Sequence, residues 1–214
     1  MESCIICGSP WSSFQTKPDA KNYYFCRECG FIYLDPSYHP SPEKEKERYC
    51  KHNNSPGNTG YRHMLSRFIN ESIMPLGSGL NTVLDFGCGP VPLLADLLQE
   101  KKYHTEIYDK YFFSDRKVLS HSYDAIILHE VAEHFRDPKT ELSALVPLIR
   151  ETGYLIISTL QCPESRKEFN SWWYRMDITH LSFFREKTFK YLAGVFKLKF
   201  LDTENQNIFI FRHN

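Results

Sequence analysis

Four cysteines stand in two CxxC pairs, Cys4-Ile5-Ile6-Cys7 and Cys26-Arg27-Glu28-Cys29, with 18 residues between them. That spacing suits a tetrahedral zinc site made of four thiolates. Gly8 and Gly30 follow the pairs where a tight knuckle needs a freely turning residue. Four thiolates leave no open position, so zinc on Cys4, Cys7, Cys26 and Cys29 would be structural. A different chemistry is written at Asp85-Phe86-Gly87-Cys88-Gly89-Pro90, where an acid on a strand leads into a glycine turn. Such a turn admits a ligand close to the backbone, in the crevice at the strand's carboxyl end. The phosphate-loop pattern GxxxxGK is absent, and Pro92 takes the place of the third glycine of a dinucleotide turn. A third cluster is Glu130, Glu133 and His134, spaced i, i+3 and i+4, which on a helix share one face at the mouth of that crevice. Two carboxylates and an imidazole can share a divalent ion; alternatively Glu133 caps or pairs locally and His134 packs beneath the ligand. His180 lies in a long loop with Trp172, Trp173 and Tyr174, either as a general base or as an anchor of its loop.

These residues need elements to hold them. Tyr23 to Phe25 and Phe31 to Tyr33 read as strands around the second knuckle, completing a ribbon over residues 1–34. Prolines punctuate the connector from Asp35 to Pro42, where Ser41 as N-cap and Pro42 at the first position start a helix from Glu43 to about Lys51. Its run of charges is expected to face solvent. A polar loop from Asn53 to Gly60 ends this linker of residues 35–60, and the main domain is expected over 61–214. Met64, Leu65, Phe68, Ile69 and Ile73 recur at helical spacing. Thr82 to Phe86, Tyr103 to Tyr108, Tyr123 to Leu128 and Tyr154 to Ser158 read as buried strands, with helices through Leu93 to Leu98 and Lys139 to Arg150. Phe196 to Leu201 and Ile208 to Phe211 flank a turn as a closing antiparallel hairpin.

In order and spacing these segments resemble the class I S-adenosylmethionine-dependent methyltransferases, whose first motif has the form Asp85-x-Gly87-x-Gly89. The resemblance runs over roughly residues 61–211. It implies an α/β fold with a Rossmann-like sheet and S-adenosylmethionine as cofactor, held by Tyr61, Asp85, Gly87, Cys88, Gly89, Pro90, Asp109 and His129. Asp109, 22 residues beyond Gly87, would accept bonds from both ribose hydroxyls. More narrowly, His52-Asn53-Asn54, Gly60-Tyr61-Arg62 and Trp173-Tyr174-Arg175 through His180 look like a group of small bacterial methyltransferases with a zinc ribbon in front. The ExxEH segment at Glu130, Glu133 and His134 is similar to that of the ubiquinone-biosynthesis O-methyltransferases, which implies a divalent ion such as magnesium and activation of an acceptor hydroxyl. Two departures stand out. Val91 occupies a position that often holds a third glycine. Only 13 residues separate Asp109 from Tyr123, too few for the usual helix and full third strand, so the adenine-side acid is either missing or supplied by Asp115.

Composition narrows the alternatives. Of 214 residues, 26 are Lys or Arg and 26 are Asp or Glu, so no global positive field holds a polyanion. That weighs against an RNA methyltransferase gripping its substrate through the ribbon and Arg27, as does the absence of an Asn-Pro-Pro-Tyr-type segment where His129 to Glu133 stands. A regulatory module with a degenerate cofactor site is the remaining alternative. No apolar run approaches the roughly 20 residues of a membrane span, and Met-Glu-Ser-Cys does not open a signal peptide. A cytoplasmic enzyme acting on a small-molecule acceptor is the expectation; the sequence sets no oligomeric state.

Overall fold

The computed structural model describes residues 2–51, 57–77 and 79–214. His52 to Asn54, one of the stretches carrying the closer resemblance, lies outside them. Three short strands open the chain, β1 (Ser12–Gln15), β2 (Asn22–Phe25) and β3 (Ile32–Leu34), paired antiparallel in that order. Helix α1 (Pro42–Cys50) begins at Ser41, whose hydroxyl accepts from the Lys44 amide, with Pro42 at the first position as the sequence predicts. Its charged face is not all solvated. Glu45 is 2% exposed and accepts from Tyr49 Oη at 2.8 Å and Lys110 Nζ at 2.6 Å. Tyr49 lies one turn along the same helix, but the charged partner Lys110 comes from the end of a distant strand, which the helix's own periodicity cannot show.

Helix α2 (Thr59–Ser72), capped by Asn58, buries Leu65, Phe68 and Ile69. Next come β4 (Thr82–Phe86), α3 (Leu93–Glu100), β5 (His104–Tyr108), β6 (Tyr123–His129), α4 (Pro138–Leu145), β7 (Ile149–Ser158), α5 (Arg166–Ser171), β8 (Ser182–Phe183), α6 (Glu186–Phe196), β9 (Lys199–Leu201) and β10 (Ile208–Arg212). The main sheet has the order β5-β4-β6-β7-β10-β9. Its first four strands are parallel, while β10 runs antiparallel to both β7 and β9. The fold is the expected Rossmann-like sheet with a C-terminal hairpin. Between β5 and β6 only a 3-10 turn, Arg116–Ser120, is formed, so the third strand is missing as the short spacing implies.

Side chains alternate across the sheet. Val83, Ala125, Ile127 and Ile156 face α2 and α3, whereas Leu84, Ile126, Leu128, Leu155 and Ile157 join the core that also contains the ribbon. The chain leaves β4 for β5 on one side and returns to β6 on the other, which opens a crevice at their carboxyl ends. Helix α4 is shorter than the predicted Lys139 to Arg150. Pro147, without an amide hydrogen, sits in the 3-10 turn Val146–Leu148, and β7 starts at Ile149. No helix among the described residues is long and apolar enough to cross a membrane.

Candidate active site

The crevice is a cavity of about 740 Å³ whose lining includes Asp85, Gly87 to Val91, Asp109, Glu130, Glu133, His134, Tyr174 and His180. Its floor is the glycine turn. Gly87 and Gly89 take left-handed φ of 82° and 69°, and Val91 does not, so the missing third glycine imposes no strain. A side chain on Gly87 would drive into Val131 at 2.6 Å, whereas one on Gly89 would meet nothing within 4 Å. The turn therefore needs glycine first for packing, then leaves its backbone open to a ligand. Tyr108 O accepts from the amides of Gly87 and Cys88, and Asp109 accepts from the Gly89, Tyr111 and Phe112 amides. Asp109 is thereby fixed at the end of β5.

Two carboxylates at adjacent strand ends make this floor strongly electronegative. Asp85 is buried, its Oδ2 has no hydrogen-bond partner among the described residues, and burial together with the charge of Asp109 raises its carboxyl to about 7. A positively charged ligand would relieve both effects. Tyr61 closes the crevice from α2, held protonated by burial and by the carboxylates of Asp85 and Glu130, which push it up to about 12. His129, at the end of β6, rests on Phe68 with ring centroids 4.5 Å apart. Burial pulls it down to about 4, so it is a neutral wall.

The Glu130-Glu133-His134 segment is not the α-helix its spacing predicts. The Glu130 amide donates to Ser158 O, prolonging the β6–β7 pairing, and Glu130 then takes a left-handed φ of 55°. Only a single 3-10 turn, Ala132–His134, follows. The face is assembled instead by Tyr174, whose Oη lies 2.9 Å from Glu130 Oε2 and 2.6 Å from Glu133 Oε1. One phenol carries one proton, and two such contacts need two. Burial raises both carboxyls well above the usual range, with Glu130 adding to the effect on Glu133, and burial beside these two acids raises Tyr174 further still. The two acids therefore compete for one phenol proton in a site that favours their neutral forms, and Glu133 Oε2 is left without a hydrogen-bond partner among the described residues.

Both histidines are oriented by main-chain carbonyls. His134 Nδ1 is 2.9 Å from Thr179 O, and His180 Nδ1 is 2.6 Å from Tyr174 O. The rings pack at 4.8 Å. Ligating atoms of Glu133, His134 and His180 all fall within 4.8 Å of one another. The structure thus brings His180 into the metal-capable group and leaves Glu130 out of it, a change from the sequence expectation that follows from the lost helix. Trp173 is 70% exposed at the rim. Sequence reasoning missed α1 as a wall of this cavity. Arg48 binds Asp177 at 2.6 Å, and the Tyr49 ring stands 5.2 Å from His134. Only the i, i+4 spacing of Glu45 and Tyr49 hinted that one face of this charged helix is buried.

At the other end, all four cysteine sulfurs of the ribbon lie within 4.8 Å of one another, with Cys4–Cys29 at 3.7 Å and Cys7–Cys26 at 3.4 Å. A regular tetrahedron with about 2.3 Å zinc–sulfur bonds has edges of about 3.8 Å. The Gly8 and Gly30 amides donate to Cys4 O and Cys26 O, so both knuckles have the same turn.

A family model described as a methyltransferase domain matches residues 48–196. The search of curated proteins finds no match. Among solved structures, an O-methyltransferase family protein from Burkholderia thailandensis superposes with a TM-score of 0.55 at 14% identity, covering 84% of this chain; the chain spans 65% of that protein's length. A SAM-dependent methyltransferase from Archaeoglobus fulgidus gives 0.50 at 19% identity over 66% of this chain and 69% of its own. The plantazolicin methyltransferase BpumL, in complex with SAH, also gives 0.50, at 16% identity, covering 83% of this chain and 93% of its own.

Proposed function

The chain belongs to the methyltransferase-domain family, and on that premise we propose that it transfers a methyl group from S-adenosylmethionine to a hydroxyl oxygen of a small-molecule acceptor. The observation that carries the reading is the pair of half-sites in one cavity: an electronegative glycine turn at one end, and a proton-accepting cluster at the other. S-adenosylmethionine supplies a methyl group already activated on a sulfonium. The residues present suit it. Asp85 has an unsatisfied oxygen for a cationic group, Gly89 leaves its backbone open, and Asp109 is fixed where a ribose diol can donate to it.

Alignment and deprotonation are the enzyme's share. The acceptor oxygen forms its bond to the methyl carbon as the carbon–sulfur bond breaks toward sulfur, and the acceptor proton passes to the Glu130–Glu133 pair. Tyr174 lets either acid carry that proton. His134 and His180, held in place through their Nδ1 atoms, orient the acceptor or take the proton themselves. Calorimetry and turnover test this with a panel of small hydroxylated acceptors. Methylation of amines only, with hydroxyl compounds inert, would refute the oxygen chemistry.

A second reading has one observation in its favour. With each Nδ1 engaged by a carbonyl, His134 and His180 have the outer-sphere support that metal-bound imidazoles require, and Glu133 completes a three-ligand set. A divalent ion there would lower the pKa of a bound hydroxyl. Brief chelation that suppresses turnover, with the ribbon zinc retained, separates this from the metal-free reading.

We also propose structural zinc on Cys4, Cys7, Cys26 and Cys29, and a division into a ribbon (1–34), a linker (35–60) and a catalytic domain (61–214). The reaction is placed in the cytoplasm, where seven thiols stay reduced.

A further inference from the structure

A ribbon whose strands are four, four and three residues long is too small to hold a shape by burial alone. Its sheet is completed from outside. Strand β8 pairs antiparallel with β3, setting Phe183 against Ile32 and Ser182 against Tyr33. The residue just before β8 is shared twice. Leu181 O accepts from the Leu34 amide of the ribbon at 2.8 Å, while its own amide donates to Glu133 O at 2.8 Å. The Tyr33 hydroxyl then donates to Arg136 O at 2.6 Å. The backbone of one residue and one phenol therefore tie the ribbon to the segment that carries Glu133 and His134.

A second tie runs through Arg175, next to Tyr174. Its side chain is fully buried and binds Asp19 of the ribbon at 2.8 Å, with Lys17 O at 3.4 Å and Asn170 O at 2.5 Å. A buried guanidinium with one carboxylate partner is held tightly, because losing that partner strands the charge. Fixing Arg175 fixes Tyr174, whose carbonyl holds His180 and whose hydroxyl bridges the two acids. The cofactor turn is closed differently. Its bonds run between Gly87, Cys88 and Gly89 and the end of β5.

From this division we propose that the ribbon is the positioning element of the acceptor half, with Asp19 and Arg175 as positioning residues that act through Tyr174 and His180. The inference rests on the reading of that end of the cavity as the acceptor side. It predicts that loosening the ribbon disables the acceptor cluster and spares the cofactor site.

The test uses the full chain with Asp19→Ala, which touches neither the cysteines nor the cavity, and Asp19→Glu as the conservative restoration. Hydrogen exchange followed by mass spectrometry should quicken at least tenfold over residues 173–183 in Asp19→Ala. Exchange over 82–90 and affinity for S-adenosylhomocysteine should stay within twofold of the parent. Turnover per folded molecule, with the folded fraction fixed by circular dichroism, should fall tenfold or more with the KM for S-adenosylmethionine unchanged. Asp19→Glu should recover most of it. Unchanged exchange over 173–183, or an equal rise in both segments, would overturn the proposal. Because the exchange comparison needs neither acceptor nor cofactor, it decides the matter even if the acceptor chemistry is wrong.

Discussion

The two ends of the cavity are built by opposite means. At the proposed cofactor end, Asp85, Gly87 and Gly89 fall within five consecutive positions, and Asp109 joins them from the next strand through a bond to the Gly89 amide. Local backbone conformation does nearly all the positioning. At the proposed acceptor end, the lining side chains come from α1, the turn after β6 and the loop before β8, with the N-terminal strands behind them. Tertiary contacts do the positioning there, and two buried acids are kept together by a single phenol. A site made of contiguous backbone is robust and recurs in recognisable form. A site made of distant side chains can change its chemistry by altering one segment, at the cost of depending on every segment that props it.

The sharpest way to break this comparison is to remove one acceptor group. Glu133→Gln or Tyr174→Phe should lower turnover by about 10²–10⁴-fold, the range for losing a positioned proton acceptor or its partner. Release of S-adenosylhomocysteine is the assay, and affinity for that product should hardly change. In the metal-free reading, the rate should also climb as pH rises through the elevated pKa of the acid pair, since the deprotonated form accepts the proton. Cys26→Ser should abolish stoichiometric zinc, measured by plasma emission, and destabilise the N-terminal strands, because metal binding and folding are linked in so small a module. Asp109→Ala acts on the other end and should weaken S-adenosylmethionine binding by about 1–3 kcal/mol, as read by calorimetry. Unchanged affinity would move the ribose elsewhere.

The smallest effect concerns the foundation of the cofactor strand. Asp124 accepts from the Asn81 and Thr82 amides and pairs with Arg150. Although partial burial pushes its carboxyl up, the Thr82 amide and the Arg150 guanidinium hold it down at about 2. A depressed carboxyl stabilises the fold above its unfolded pKa of about 3.9, and that contribution disappears as pH falls toward 2. Asp124→Asn should cost about 1–2 kcal/mol at neutral pH, with little change near pH 2, in denaturant titrations at both values.

The sequence made the cofactor half legible because its signals are local: strand alternation, a glycine turn, an acid at the next strand's end. The missing third strand was also visible, as a chain too short to make it. What escaped was set by contacts between segments distant in sequence. Spacing of i, i+3 and i+4 suggested a helix at Glu130, but pairing of its amide with Ser158 extended the ladder and left a single tight turn. Glu45 read as a solvated charge because Lys110 lies 65 residues away. Tyr174 was noticed as an aromatic, not as the bridge between two acids, and nothing in its own neighbourhood encodes that role.

Parallel calorimetric titrations of S-adenosylhomocysteine into the parent protein and Glu133→Gln test the central claim most directly. The account predicts one site per chain in both, with affinities within threefold. Absence of heat in the parent at millimolar ligand would contradict the cofactor site, and binding lost only in Glu133→Gln would contradict the separation of the two ends.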